Sequence, residues 1–166
     1  MITLEQLLES RDRRAGHQQR LLEAHPGRVL LCFTVQLPGS VKRNGISMSV
    51  ADAGVKAIRE LFEPEYEELL DLETGYEGYF LLAGNPLEIK RQTCHVEDTH
   101  PLGRLMDIDV LPQARQMPVS REDIGLGPRG CLLCGQPARV CMRAQTHTQA
   151  ELLAKIEEML NSYLKL

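Results

Sequence analysis

Two hydrophobic rhythms divide this chain. Apolar residues recurring at three and four positions mark helices, and short apolar runs or strict alternations mark strands. Leu4, Leu7 and Leu8 open a helical face that resumes at Leu21 and Leu22, behind a capping box of Thr3 and Gln6. A helix is expected from Leu4 to about Ala24, ended by His25-Pro26-Gly27. The run Val29-Leu30-Leu31-Cys32-Phe33 within Arg28–Gln36 predicts a strand central to a sheet. After a loop from Pro38 to Gly45, the stripe Val50, Gly54, Ala57, Ile58 and Leu61 predicts a helix capped by Ser47 or Ser49 and broken at Glu63-Pro64. Tyr66–Leu72 and Tyr79–Ala83 predict paired strands around a loop from Glu73 to Gly78. Asn85-Pro86 starts a helix running to about Asp98, with Ile89, Cys94 and Val96 as a thin stripe. Leu105 to Leu111 alternates as a strand, Pro112–Gln116 is a turn, and Met117–Ser120 can return as a strand. Thr148 and Glu151 form a second capping box ahead of Leu152, Leu153, Ile156, Met159, Leu160 and Leu164, which predict a terminal helix.

The order is a helix, then β-α-β-β-α-β, then a tail. That is the ferredoxin-like order, an antiparallel sheet with two helices on one face, so the expected class is α+β. The 166 residues fit one domain, with a core of about residues 28–120 and a tail of about 121–166.

The strand at Leu105–Leu111 changes the picture. Leu105, Asp107, Asp109 and Leu111 are expected on one face, with Met106, Ile108 and Val110 packed on the other. Two carboxylates on one face, roughly 7 Å apart at a rise of ~3.3 Å per residue, repel unless a cation offsets them. A hard dication such as Mg2+ takes one or two carboxylates and completes its shell with substrate phosphates. Arg104, just ahead, suits a phosphate oxygen. Metal-assisted phosphoryl or nucleotidyl transfer is one reading, and an edge strand with two solvated aspartates is the other. Arg11, Arg14 and Gln18 share a face of the first helix, either as a phosphate-facing comb or as a solvated surface. Lys42 and Arg43 in the Pro38–Gly45 loop, ahead of a helix N-terminus, either meet an anion or form a plain basic turn.

Composition narrows the classes. Net charge is -4 and there is no Trp, which argues against a nucleic-acid surface. No apolar run approaches membrane-spanning length, and Glu5 and Glu9 sit where a signal peptide would be apolar or basic. A cytoplasmic protein is expected, with its five cysteines reduced or metal-bound. Cys131, Cys134, Cys141 and His147 follow the spacing C-x2-C-x6-C-x5-H, which suits a structural zinc site but is not a standard finger. Alternatively, Cys141 packs on a helix and the C-x2-C is a buried turn or a redox pair.

The segment His100-Pro101-Leu102-Gly103-Arg104-Leu105-Met106-Asp107-Ile108-Asp109-Val110-Leu111 carries a family likeness. So do Arg129-Gly130-Cys131-Leu132-Leu133-Cys134, Cys141-Met142-Arg143 and His147. With Arg11-Asp12-Arg13-Arg14 and the Pro38-Gly39 loop with its Lys42, the chain resembles the CitX family over nearly its whole length. Met106 stands on the packed face where family members often have an aromatic residue. The resemblance implies a holo-acyl-carrier-protein synthase of citrate lyase. Such an enzyme attaches phosphoribosyl-dephospho-CoA from 2'-(5''-triphosphoribosyl)-3'-dephospho-CoA to a serine of the acyl carrier (gamma) subunit and releases pyrophosphate. It implies Asp107 and Asp109 as Mg2+ ligands and Arg104 as the main phosphate partner, with Arg11, Arg14, Lys42, Arg121 and Arg129 as further phosphate-binding candidates. His100 is a candidate base by its intrinsic pKa, or a structural residue before Pro101. No nucleic acid or membrane partner is implied. The rival readings are a zinc-stabilised binding or adaptor module, a different Mg2+-dependent nucleotidyltransferase, or a pyrophosphokinase.

Overall fold

The computed structural model describes residues 1–114 and 117–166. The elements are α1 (Leu4–Ala24), β1 (Val29–Val35), α2 (Gly45–Leu61), β2 (Tyr66–Leu72), β3 (Gly75–Leu82), α3 (Pro86–Thr99), β4 (Met106–Pro112), α4 (Ala138–Ala144) and α5 (Gln149–Tyr163). Short 3-10 turns lie at Gly103–Leu105 and Glu122–Ile124. The four strands form one sheet in the order β2-β3-β1-β4, with every neighbouring pair antiparallel. The described chain is thus α+β, five helices around a four-stranded antiparallel sheet. No described helix is long and apolar enough to cross a membrane.

Both faces of the sheet are covered. On one, Leu31, Phe33, Phe80, Ile108 and Val110 pack with Val50 and Ile58 of α2, Ile89 and Val96 of α3, and Ile156 of α5. On the other, Leu30, Cys32, Tyr79, Leu81 and Leu111 pack with Leu21 of α1. The uninterrupted apolar run of β1 follows from this, since its alternate residues feed two separate cores.

The capping boxes at Thr3–Gln6 and Thr148–Glu151 form as expected. Several expectations change. α2 is capped by Asn44, whose side chain accepts the Ser47 N–H, so Ser47 is the third helical residue and Ser49 lies deeper in the helix. The side-chain oxygen best placed ahead of the first turn wins the cap. The β2–β3 turn holds only Glu73 and Thr74, so Tyr76, Glu77 and Gly78 are in β3, paired with Asp71, Leu70 and Leu69. Leu61 and Leu164, expected on packed stripes, are 42% and 66% exposed; Leu61 ends α2 and Leu164 caps the end of α5. Leu4 and Leu8 are likewise exposed, and the anchoring residue of α1 is Leu21. Met117–Ser120 forms no strand, and only the Val119 N–H reaches β4, at Val110 O (2.8 Å). Of the turn expected at 112–116, residues 115 and 116 lie outside the described part.

Candidate functional site

β4 builds the site because it is the edge strand beside β1. In its register Asp107 faces Thr34 and Asp109 faces Cys32, and these in turn face Glu77 and Tyr79 of β3. Asp107, Asp109 and Leu111 therefore lie on the α1 side of the sheet, with Met106, Ile108 and Val110 in the opposite core. Leu105 departs from the expected alternation. It belongs to the 3-10 turn, not the strand, and is buried in the α2–α3 core.

The outer edge of β4 is closed by two buried charges from α3. Glu97 accepts the Ile108 N–H (2.8 Å), and the Lys90 ammonium donates to the Ile108 carbonyl (3.1 Å). Lys90 is 6% and Glu97 2% exposed. Seven residues apart, they share one helix face and grip the peptide between the two aspartates. Burial raises the Glu97 carboxyl, against the pull of Arg129 and of the Ile108 N–H. The clamp satisfies an edge that would otherwise leave polar groups unpaired, and it aims Asp107 and Asp109 together.

A cleft of about 690 Å³ opens over this strand, lined by Asp107, Asp109, Lys90, Arg104, Arg121 and Arg129 among others. Asp107 accepts the Gln36 side-chain amide at 3.0 Å, and Arg129 Nη1 approaches it at 3.5 Å. Arg129 Nη2 donates to the Met106 carbonyl at 2.7 Å, while its buried Nε has no hydrogen-bond partner among the described residues. Arg121 spans Asp98 (2.7 Å) and the Gly127 carbonyl (2.9 Å), with Nη1 3.7 Å from Glu97. Arg104 donates to the Gly130 carbonyl. Burial, then the neighbouring Arg129, lowers the Arg104 pKa from its ordinary value. Gly103 is needed just before it, because a Cβ there would stand 2.3 Å from the Val96 carbonyl oxygen of α3. Asp109 is pushed up to about 6, first by burial and then by Asp107, with Lys90, Arg14 and Arg129 offsetting only part. A pair of hard oxygen donors short of positive charge is a fitting set for a dication.

The other expected phosphate binders are more dispersed. Arg14 and Arg13 both bind the buried Glu77 carboxylate (3.1 and 2.7 Å), which also accepts the Tyr79 hydroxyl at 2.5 Å. Of the α1 comb, Arg14 and Gln18 lie half-buried against the sheet, with the Arg14 guanidinium already engaged, while Arg11 is exposed. Gln18 hydrogen-bonds Cys32, whose thiol burial pushes up to about 12. Lys42 donates to the Leu37 carbonyl; burial, then the nearby charge of Arg11, lowers its pKa. His100 lines neither cleft. Its Nδ1 accepts the Leu102 N–H at 3.0 Å and its ring lies 5.5 Å from Tyr163, so it caps α3 and braces α5.

Lys90, Glu97, Gln36 and Glu77 were not among the residues expected in the site. Lys90 and Glu97 carried one signal, two charges on the same helix stripe as the buried Thr93 and Cys94. Gln36 and Glu77 carried none, since their partners are distant in sequence.

A second cleft of about 740 Å³ lies between the Pro38-Gly39 loop and the tail, and shares Gln36, Arg104, Ala138 and Met142 with the first. Cys131, Cys134, Cys141 and His147 meet at its wall, with all four donor atoms within 4.8 Å of one another. Cys134 and Cys141 Sγ are 3.5 Å apart, and His147 Nε2 is 3.4 Å from Cys134 Sγ. Donors around a tetrahedral zinc at its usual bond lengths stand about 3.5–3.8 Å apart, so this Cys3His cluster has the spacing to hold a metal. Burial opposes charge on Cys131, but the Leu133 and Cys134 N–H groups and the neighbouring thiols outweigh it and bring Cys131 down to about 6. Cys141 goes the other way, to about 11, through burial and its thiol neighbours. The short helix α4, which carries Cys141, and the Gly130–Pro137 bridge frame the cluster.

The family model for apo-citrate lyase phosphoribosyl-dephospho-CoA transferase, CitX, matches residues 2–163. A protein of that name from Escherichia coli O139:H28 is 38% identical over 165 residues, covering 96% of this chain and 89% of its own length. One from Shigella boydii serotype 18 matches with the same identity and coverage.

Proposed function

Because the chain belongs to the CitX family of apo-citrate lyase phosphoribosyl-dephospho-CoA transferases, we propose that it transfers phosphoribosyl-dephospho-CoA to a serine of the acyl carrier (gamma) subunit of citrate lyase. The donor is 2'-(5''-triphosphoribosyl)-3'-dephospho-CoA. The serine oxygen bonds to the phosphorus nearest the ribose, the bond from that phosphorus to pyrophosphate breaks, and pyrophosphate and the serine proton are released. The observation that carries the reading is the cleft in which Asp107 and Asp109 stand beside Arg129 and Arg104.

Asp107 and Asp109 would hold Mg2+, whose part is to neutralise the triphosphate and the departing pyrophosphate. Arg104 and Arg129 bind phosphate oxygens, and the buried Nε of Arg129 is a donor in reserve. Arg121 lines the same cleft, Arg14 adds its charge near Asp109 from α1, and Lys42, with Arg11 nearby, stands at the adjoining second cleft. Lys90 and Glu97 keep the two aspartates on one rigid strand. Cys131, Cys134, Cys141 and His147 hold a structural zinc, a reading supported by the soft donor set and by the Leu133 N–H donating to Cys131 Sγ (3.4 Å). Cysteines kept out of disulfides suit a reducing compartment, which supports a cytoplasmic site for the reaction. The strand order β2-β3-β1-β4 with α2 and α3 packed against one face supports a ferredoxin-like core within a single transferase domain.

The test is mass spectrometry of the apo carrier subunit incubated with the protein, the donor and Mg2+. The carrier gains the mass of the prosthetic group and pyrophosphate appears in equal amount. No gain under these conditions, with folded protein, overturns the reading.

A further inference from the structure

The second cleft differs in chemistry from the carboxylate cleft it joins. Its floor is apolar, with Leu37, Leu105 and Ile156 buried and Leu132 and Leu152 above them. Lys42 and Arg104 are its basic side chains, and no carboxylate lines it among the described residues. The amides of Gln36 and Gln149 stand at its walls. Gly39 borders one side: its φ of +82° is a backbone conformation that favours glycine, and the end of the Gln149 side chain reaches to within 2.2 Å of where a Cβ would stand. A volume of about 740 Å³ is that of a small-molecule site, not of a flat protein-docking face.

We propose that this second cleft holds the pantetheine arm and adjoining diphosphate of the donor's dephospho-CoA portion, with the triphosphate in the carboxylate cleft. This rests on the transfer reaction proposed above. The donor has two anionic ends joined at one nucleoside, and the protein has two clefts joined at Gln36 and Arg104. Lys42 and Arg104 complement the diphosphate, and Arg11 adds its charge near Lys42. The apolar floor covers the methyl-bearing arm, and the Gln36 and Gln149 amides match its two peptide-like groups. The Cys3His cluster is then part of a ligand-binding wall, because Cys131, Cys141 and His147 line the same cleft.

Equilibrium binding of dephospho-CoA and of 5'-AMP, which lacks the arm, tests this with the full chain. Dephospho-CoA binds at least about tenfold more tightly than AMP, a gap of about 1.4 kcal/mol. Leu152→Trp and Gln149→Trp, each filling the trough from α5, shrink that ratio towards one and raise the donor KM in the carrier assay by a similar factor. Circular dichroism and the unfolding midpoint report whether each variant folds, and Gln149, exposed on the helix, is the safer substitution. Equal affinity for the two ligands, or a ratio unchanged in both folded variants, overturns the assignment. So does a rise in the carrier KM alone, which would give the cleft to the acceptor protein. If the ratio behaves as expected but the carrier gains no mass, the transfer reading fails and the dephospho-CoA site stands.

Discussion

The carboxylate pair and the thiol cluster both suit a metal, yet they are built in opposite ways. Asp107 and Asp109 project from a strand whose backbone is satisfied on one side by β1 and at Ile108 by Lys90 and Glu97. Their geometry is set by the sheet before any cation arrives, and the cost is a carboxyl left short of positive charge. The thiol cluster is carried by a turn and the seven-residue helix α4, with few buried apolar residues of its own: Cys141 is the only buried residue of α4. With the proposed zinc in place, such a segment would take its order from the metal. The proposed catalytic cation could exchange with substrate because the scaffold stands without it, whereas the proposed structural one could not leave without taking the local fold with it.

The sharpest way to break this contrast is at the aspartates. Asp107→Asn lowers the Mg2+-dependent rate of carrier modification by at least about 100-fold, corresponding to about 2.7 kcal/mol of transition-state stabilisation. Its far-UV circular dichroism and zinc content stay as in the native protein; loss of either would mean that the pair is structural. At the cluster the pattern reverses. Cys134→Ser drops bound zinc well below one per chain in elemental analysis, and the amides of residues 130–148 exchange faster. The amides of β1, β3 and β4 stay protected; if they lose protection too, the cluster and the sheet are one cooperative unit.

Between the two stands the α3 clamp. Glu97→Ala leaves the Ile108 N–H and the ammonium of Lys90 in a buried, half-satisfied edge, at a cost of about 2–4 kcal/mol in urea unfolding. It also raises the Mg2+ concentration needed for half-maximal transfer, which a purely structural loss would not move; Glu97→Gln, which keeps an acceptor for the N–H, restores much of both.

The smallest effect concerns Asp109 in Mg2+-free protein. Its folded pKa of about 6 lies above the ordinary 3.8, so the folded chain keeps the proton longer than the unfolded one. The stability contributed by this group therefore falls as pH rises from about 4 to about 6, and is constant beyond. Asp109→Asn removes that dependence and stabilises the metal-free protein at pH 7 by on the order of 3 kcal/mol. The gap to the native chain closes below about pH 4 in thermal unfolding scans. An equal gap at both pH values would show that the carboxyl is not strained.

What could be read in the sequence were the local matters. The capping boxes at Thr3 and Thr148, the helix start at Asn85-Pro86 and the breaker at His25-Pro26-Gly27 act through neighbours within four residues, so residue identity alone decides them. The alternation from Met106 to Leu111 placed both aspartates on one face for the same reason, since a strand reverses its side chains at each step. The error at Leu105 is local too: Pro101-Leu102-Gly103 turns the chain before the strand begins, and Gly103 seats that turn against α3.

The unread part was everything decided across the sheet. Glu77 is as ordinary in sequence as any strand glutamate, and only α1 lying over β3 makes it the anchor of Arg13 and Arg14. Gln36 meets Asp107 across 71 residues, and Lys90 meets Ile108 across 18. Period and composition were enough for most of the elements, the aspartate pair and the spacing of the four Cys and His donors, but not for α4 or for the missing strand at Met117–Ser120. Tertiary structure alone decided which arginines remain near the cleft and which are spent on Glu77, and how the edge of β4 is closed. It also decided that the Pro38-Gly39 loop, Arg104 and the thiol cluster enclose a second cleft. Those outcomes depend on which surfaces meet when two cores are buried on opposite faces of one sheet, and no short-range pattern encodes that meeting.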